Sequence, residues 1–204
     1  MLTEQASNST EIAPVTQQLA DRQRMWAQIN ALNDALLSQA SATDVLQALC
    51  DRRDGGSPPI RARKLRTPED ADDLRAVRRE LDAADDEPVC HRRVELTCGD
   101  VVLSHADNWY LPNRLSDEMN TRLLATEAPF GVVVAALAFE RCTLSSEVLF
   151  DPLSTGCDAH TAHDPRSISS TPEHVLQHRA ILRTPDGKGF SLLLETYTKQ
   201  IFTP

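Results

Sequence analysis

Two stretches of this chain alternate apolar and polar residues on both sides of a short turn. That pattern restricts the fold more than any other feature. The first, HRRVELTCGDVVLSHADNWYLP (91–112), sets Val94 and Leu96 against Arg93 and Glu95, turns at CGD, and returns from Val101 to Tyr110, where Pro112 stops it. The second is VLQHRAILR (175–183), the turn TPDGKG, then FSLLLETYTKQIF. Successive side chains on a strand point to opposite faces, so each hairpin offers one apolar face to a core. Hairpins separated by turns and a few helices predict an α+β domain built on an antiparallel sheet, with helices on one side.

The remaining segments fit around that sheet. Leu19, Trp26, Ile29, Leu32, Leu36 and Leu37 recur at helical spacings and predict a helix over 15–38. Ser41 or Thr43 caps a second, shorter helix with Asp44 in its first turn, ended by DGGSPP. IRARKLR (60–66) reads as an edge strand. Ser116 caps a helix that turns Met119, Leu123 and Leu124 inward. APFGVVVAAL (128–137) reads as a short helix opened by Pro129, and 139–149 as a strand. Residues 151–173 form a long loop. Residues 1–14 are polar and read as a disordered tail, leaving 15–204 as a single domain.

Charge and cysteine content narrow the function classes. The net charge of −9 argues against a nucleic-acid partner, which calls for a basic stripe. Much of the acidity is local: residues 69–87 hold nine acids against three arginines, and read as a solvated helix or a mobile connection. No apolar run reaches the length of a membrane span, and the N-terminus does not read as a secretory signal. The five cysteines (Cys50, Cys90, Cys98, Cys142 and Cys157) form no CxxC pair and read as reduced thiols of a cytoplasmic protein. Cys157, Asp158, His160, His163, Asp164, His174 and His178 are the densest group of metal-binding types. Their spacing matches no zinc signature, so they read as a polar surface loop and no metal is expected.

The candidates for chemistry are charged residues on apolar strand faces. Glu195 shares a face with Leu193 and Tyr197, and Arg92 shares one with Val94 and Leu96. A lone buried charge costs several kcal/mol unless it is paired. Three readings stay open on pattern alone: a buried Arg92–Glu195 salt bridge, a sheet face open to water, or a site for a small anion with acid or base help.

LLSQASATDVLQAL, RRVELTCGDVVLSHADNWYLPNRL, ATEAPFGVVV and RAILRTPDGKGFSLLLETY follow one another in an order and at distances that resemble the chorismate lyase family, over about residues 30–200. The resemblance implies a six-stranded antiparallel sheet with helices packed on one face and a ligand enclosed between sheet and helical flaps. It implies an enzyme that eliminates pyruvate from chorismate to leave 4-hydroxybenzoate, with no metal or cofactor. By the same resemblance Glu195 is the catalytic carboxylate, acting in proton transfer to the leaving enolpyruvyl group. Arg92 holds a substrate carboxylate, although a gapless count back from Pro112 selects Arg93. Phe130 contacts the ligand through its backbone, and Ala42 stands at the place of a flap methionine, with a smaller side chain. Asn108-Trp109 occupies a position where the best-known members carry a basic residue. The expected partner is a small molecule, chorismate or a related aromatic carboxylate, and a monomer is expected. The alternative is a non-catalytic binding domain, since the same fold senses effectors in some bacterial transcription regulators. There it follows a DNA-binding winged helix, for which the region before residue 30 is too short and too acidic.

Overall fold

The computed structural model describes residues 9–54, 58–66, 74–154 and 171–202. Six strands form one antiparallel sheet: β1 (Arg61–Lys64), β2 (Cys90–Cys98), β3 (Val101–Tyr110), β4 (Glu140–Val148), β5 (His174–Arg183) and β6 (Gly189–Thr198), in the order β1-β2-β3-β6-β5-β4. Both hairpins form where the alternation places them. Gly99 (φ +57°) and Asp100 make the two-residue turn between β2 and β3, and glycine supplies the left-handed conformation there without strain.

The register sets the site. Arg92 lies opposite Asn108, which lies opposite Leu193; in the next row Val94, Ala106, Glu195 and His178 follow one another across four strands. Cross-strand partners share a face, so these side chains line one surface.

Four helices cover that surface: α1 (Ser9–Ser38), α2 (Ala42–Asp54), α4 (Asp117–Ala125) and α5 (Phe130–Val133). Ile29 and Leu36 of α1 and Leu46 of α2 pack with Val94, Leu96, Leu176 and Tyr197. Leu123, Phe130 and Val133 pack with Tyr110, Leu182 and Leu193. Two caps form as the sequence suggests: Ser41 Oγ accepts from the Asp44 N–H (3.2 Å), and Ser116 Oγ accepts from the Met119 N–H (3.2 Å). A helix α3 (Leu74–Glu80) packs Val77, with Leu81 just beyond it, against Trp109, Ile181 and Leu192 on the opposite face. Of the two readings of the acidic segment, a helix is what residues 74–80 form, and it buries Val77; residues 69–73 lie outside the described residues. The helices are therefore not all on one face.

Other expectations need adjusting. The first helix begins at Ser9, so residues 9–14 continue it; residues 1–8 lie outside the described residues. Leu124 is 73% exposed, because the inward stripe of α4 runs through Leu123 and Met119 alone. Cys50 and Cys98 are joined as a disulfide between α2 and β2, with Cα atoms 6.0 Å apart, while Cys90 and Cys142 are free thiols. The reading of five reduced thiols fails for that pair, and with it the cysteine argument for a cytoplasmic location. Cys157 and the residues from Asp158 to Asp164 lie outside the described residues. No described helix is long and apolar enough to cross a membrane.

Candidate functional site

Under the first turn of α2 and the start of α5 the sheet borders a cavity of about 40 Å³. Its floor carries Arg92, Val94, Ala106, Asn108, Leu193 and Glu195, its roof includes Ser41, Ala42, Thr43 and Phe130, and Phe139 and Arg141 close the β4 side. All four site residues named from the sequence, Glu195, Arg92, Phe130 and Ala42, border this one space. Arg93 turns to the other face, where its Nε lies 3.7 Å from Asp107 Oδ1. Of the two arginines, Arg92 borders the cavity, as its shared parity with Val94 and Leu96 predicts.

The buried Arg92–Glu195 salt bridge left open above does not form. Glu195, 5% exposed, instead meets Arg141 of β4, whose Nη2 lies 2.7 Å from Glu195 Oε2 with a side chain only 2% exposed. This is an ion-pair contact without the alignment of a good hydrogen bond, and Arg141 Nε is buried without a partner. Burial works against the charged form of Arg141, but the neighbouring Glu195 carboxylate, with Tyr197, outweighs it and holds the guanidinium above its ordinary value. Tyr197 donates its hydroxyl to the same Oε2 at 3.2 Å. Fully buried, the Tyr197 phenol is pushed well above its ordinary pKa and stays neutral.

Arg92 is in a different state. It is 7% exposed, and its Nη2 donates to the Ala128 carbonyl at 3.0 Å. Its Nε has no partner, and among the described residues no carboxylate lies within ion-pair distance. Burial lowers its pKa from the ordinary arginine value, with Tyr110 opposing, and a guanidinium keeps its charge through such a shift. Burial pushes the Tyr110 hydroxyl up to about 12, so it supplies no counter-charge. Asn108 accepts from the Ser191 hydroxyl through Oδ1, which leaves its amide NH₂ for the cavity.

No family model matches the chain. The uncharacterized protein y4mC of Sinorhizobium fredii is 35% identical over 206 residues, covering 93% of this chain and 86% of y4mC. The chain belongs to the y4mC family. Among solved structures, PhnF of Mycobacterium smegmatis is 13% identical, over 82% of this chain and 67% of PhnF, at a TM-score of 0.50. The effector domain of PhnF, solved alone, is 14% identical over 78% of this chain and 89% of that domain, at 0.47. A GntR-family transcriptional regulator of Enterococcus faecalis is 8% identical over 73% and 96%, at 0.41. The PhnF likeness is one of fold, and it agrees with the chorismate lyase-like α+β sheet observed here.

Arg141 of this site, and His178 packed behind Glu195, are two residues that sequence reasoning missed. Arg141 lies on an edge strand exposed over most of its length, where alternation has little contrast; its shared parity with Phe139 is the available signal. His178 stands on β5 and not in a polar surface loop: Leu176, His178, Ala180 and Leu182 alternate toward the core as Glu195 does. His178 Nε2 is 2.7 Å from Asn33 Oδ1 of α1, which fixes Nε2 as the protonated nitrogen. Burial, then the positive Arg141, lowers its pKa to about 4 against the opposing pull of Glu195. The imidazole is therefore neutral at pH 7.

Proposed function

We propose that this protein is a binding module for a small aromatic carboxylate. Arg92 anchors the carboxylate, Phe130 and Phe139 take the ring, and the Glu195–Arg141 pair and Asn108 meet polar substituents. One observation carries the reading: Arg92 is buried at the cavity with no carboxylate within ion-pair distance, because the one carboxylate that lines it, Glu195, is engaged by Arg141. A buried cation without a counter-ion costs several kcal/mol, a penalty that an incoming carboxylate relieves. At about 40 Å³ the cavity holds only a few waters, so a ring-sized ligand enters by parting α2 from α5. Calorimetric titration with 4-hydroxybenzoate tests the proposal. Saturable one-site binding is expected; no heat and no shift in melting temperature at millimolar ligand would remove it.

A second, catalytic reading rests on Glu195, whose carboxylate borders the same cavity as Arg92. In that reading the protein is a chorismate pyruvate-lyase and Glu195 handles the proton on the departing enolpyruvyl group. Its engagement with Arg141 and Tyr197 favours binding over turnover, because the carboxylate already has two partners. Incubating pure protein with chorismate and following 4-hydroxybenzoate by chromatography decides between the readings. Product that is lost in Glu195→Gln supports the lyase; no product leaves the binding module.

A further inference from the structure

Three charged side chains border the cavity: Arg92, Arg141 and Glu195. Two of them face each other at 2.7 Å, and Arg141 is too buried to exchange its partner for water. The titratable groups packed behind them add no charge at pH 7: His178 and Tyr197 behind Glu195, and Tyr110 beside Arg92, are neutral. The site therefore presents one unbalanced positive charge. Its carboxylate, Glu195, is two strands and one row away from the cation Arg92.

Resting on the binding reading above, we propose that the cavity selects monoanions. Arg92 accepts one carboxylate, while the closed Glu195–Arg141 pair rejects a second, so the ligands are aromatic monocarboxylates and dicarboxylates such as chorismate are excluded. A ligand carboxylate at Arg92 makes the enclosed charge zero. A second carboxylate must approach Glu195 in a water-poor space, where like charges repel strongly, and it cannot recruit Arg141 without stranding Glu195. An uncharged polar group, such as a phenolic hydroxyl, meets no such barrier and can donate to Glu195. Specificity then comes from an unfavourable contact with the wrong ligand as much as from a favourable one with the right ligand.

The experiment is calorimetric titration of the full chain with three ligands on one ring: 4-hydroxybenzoate, terephthalate, and the monomethyl ester of terephthalate. In wild type, 4-hydroxybenzoate and the monoester are expected to bind at least about tenfold more tightly than terephthalate. In Glu195→Gln the freed Arg141 becomes a second anchor, so the gap narrows or reverses. Terephthalate binding wild type as tightly as the other two overturns the inference and leaves the binding reading standing. A monoester as weak as terephthalate also overturns it, since size rather than charge is then limiting, and this arm needs no variant to fold. An unchanged gap in a folded Glu195→Gln protein overturns it as well. If no ligand of the three binds wild type, the binding reading fails and takes this inference with it.

Discussion

Burial and the adjacent Arg141 lower the pKa of His178 from 6.5 to about 4, which ties the stability of the sheet beside Glu195 to pH. The unfolded chain protonates this imidazole as pH falls below 6.5, while the folded chain resists until about 4. The folded state binds fewer protons in that window, so stability is retained above pH 6.5 and is lost progressively down to pH 4. The full shift corresponds to about 3 kcal/mol. Urea denaturation at pH 7 and pH 4 of wild type and His178→Gln, which keeps a donor for Asn33, measures it. The variant should lose less stability between the two pH values; an equal loss in both proteins would contradict the assignment. At this scale the sequence was informative wherever a charged residue interrupts a strongly apolar face, as Glu195 does in SLLLETYT and Arg92 does before Val94 and Leu96. The signal was weak at Arg141, because most of its edge strand is exposed and only the parity shared with Phe139 marks it as inward.

The elements were legible where local chemistry decides them. Ser41 and Ser116 satisfy backbone donors of their own helices, and Gly99 sits in the turn that alternation demands, so these boundaries follow from neighbouring residues. What depends on distant partners was not legible. The side of the sheet taken by α3 depends on Val77 and Leu81 finding Trp109 and Leu192. Arg114 secures that end: its Nε and Nη2 donate to the Glu87 carboxylate at 2.8 and 2.7 Å, and its Nη1 and Nη2 to the Leu81 and Asp82 carbonyls. The hydrogen bond from Arg114 is the main reason that the Glu87 carboxyl falls below its usual pKa. The Cys50–Cys98 bridge is likewise a tertiary fact, joining residues 48 apart in sequence. Loop closure on that scale restricts the unfolded chain by about 4 kcal/mol. Adding a reductant should lower the urea midpoint of wild type and leave Cys50→Ser/Cys98→Ser unchanged. A wild-type midpoint indifferent to complete reduction, verified by thiol titration, would show that the bridge does not contribute.

For the molecule as a whole, the sheet is the floor of the cavity and α2 and α5 are its roof, the part that yields to a ligand in the proposed binding reading. β2, β3 and β6 hold Arg92, Asn108 and Glu195 in register, the β2–β3 pairing running without a shift from Cys90 to Leu96. The roof meets them through short segments: α5 is a single turn, followed by a 3-10 turn at Ala135–Leu137, and α2 presents only its first residues. Small Ala42 leaves cover to Phe130, which stacks with Phe190 at a centroid distance of 6.4 Å. A rigid charged floor under a light roof suits capture of a small anion from solution, and the central claim is that Arg92 makes that capture. The most direct measurement is the affinity of 4-hydroxybenzoate for wild type, Arg92→Gln and Arg93→Gln by calorimetry. Loss of a charge-assisted contact predicts binding weakened by about tenfold to a hundredfold in Arg92→Gln, with Arg93→Gln, on the opposite face, binding as wild type does. Wild-type affinity in a folded Arg92→Gln protein would contradict the account.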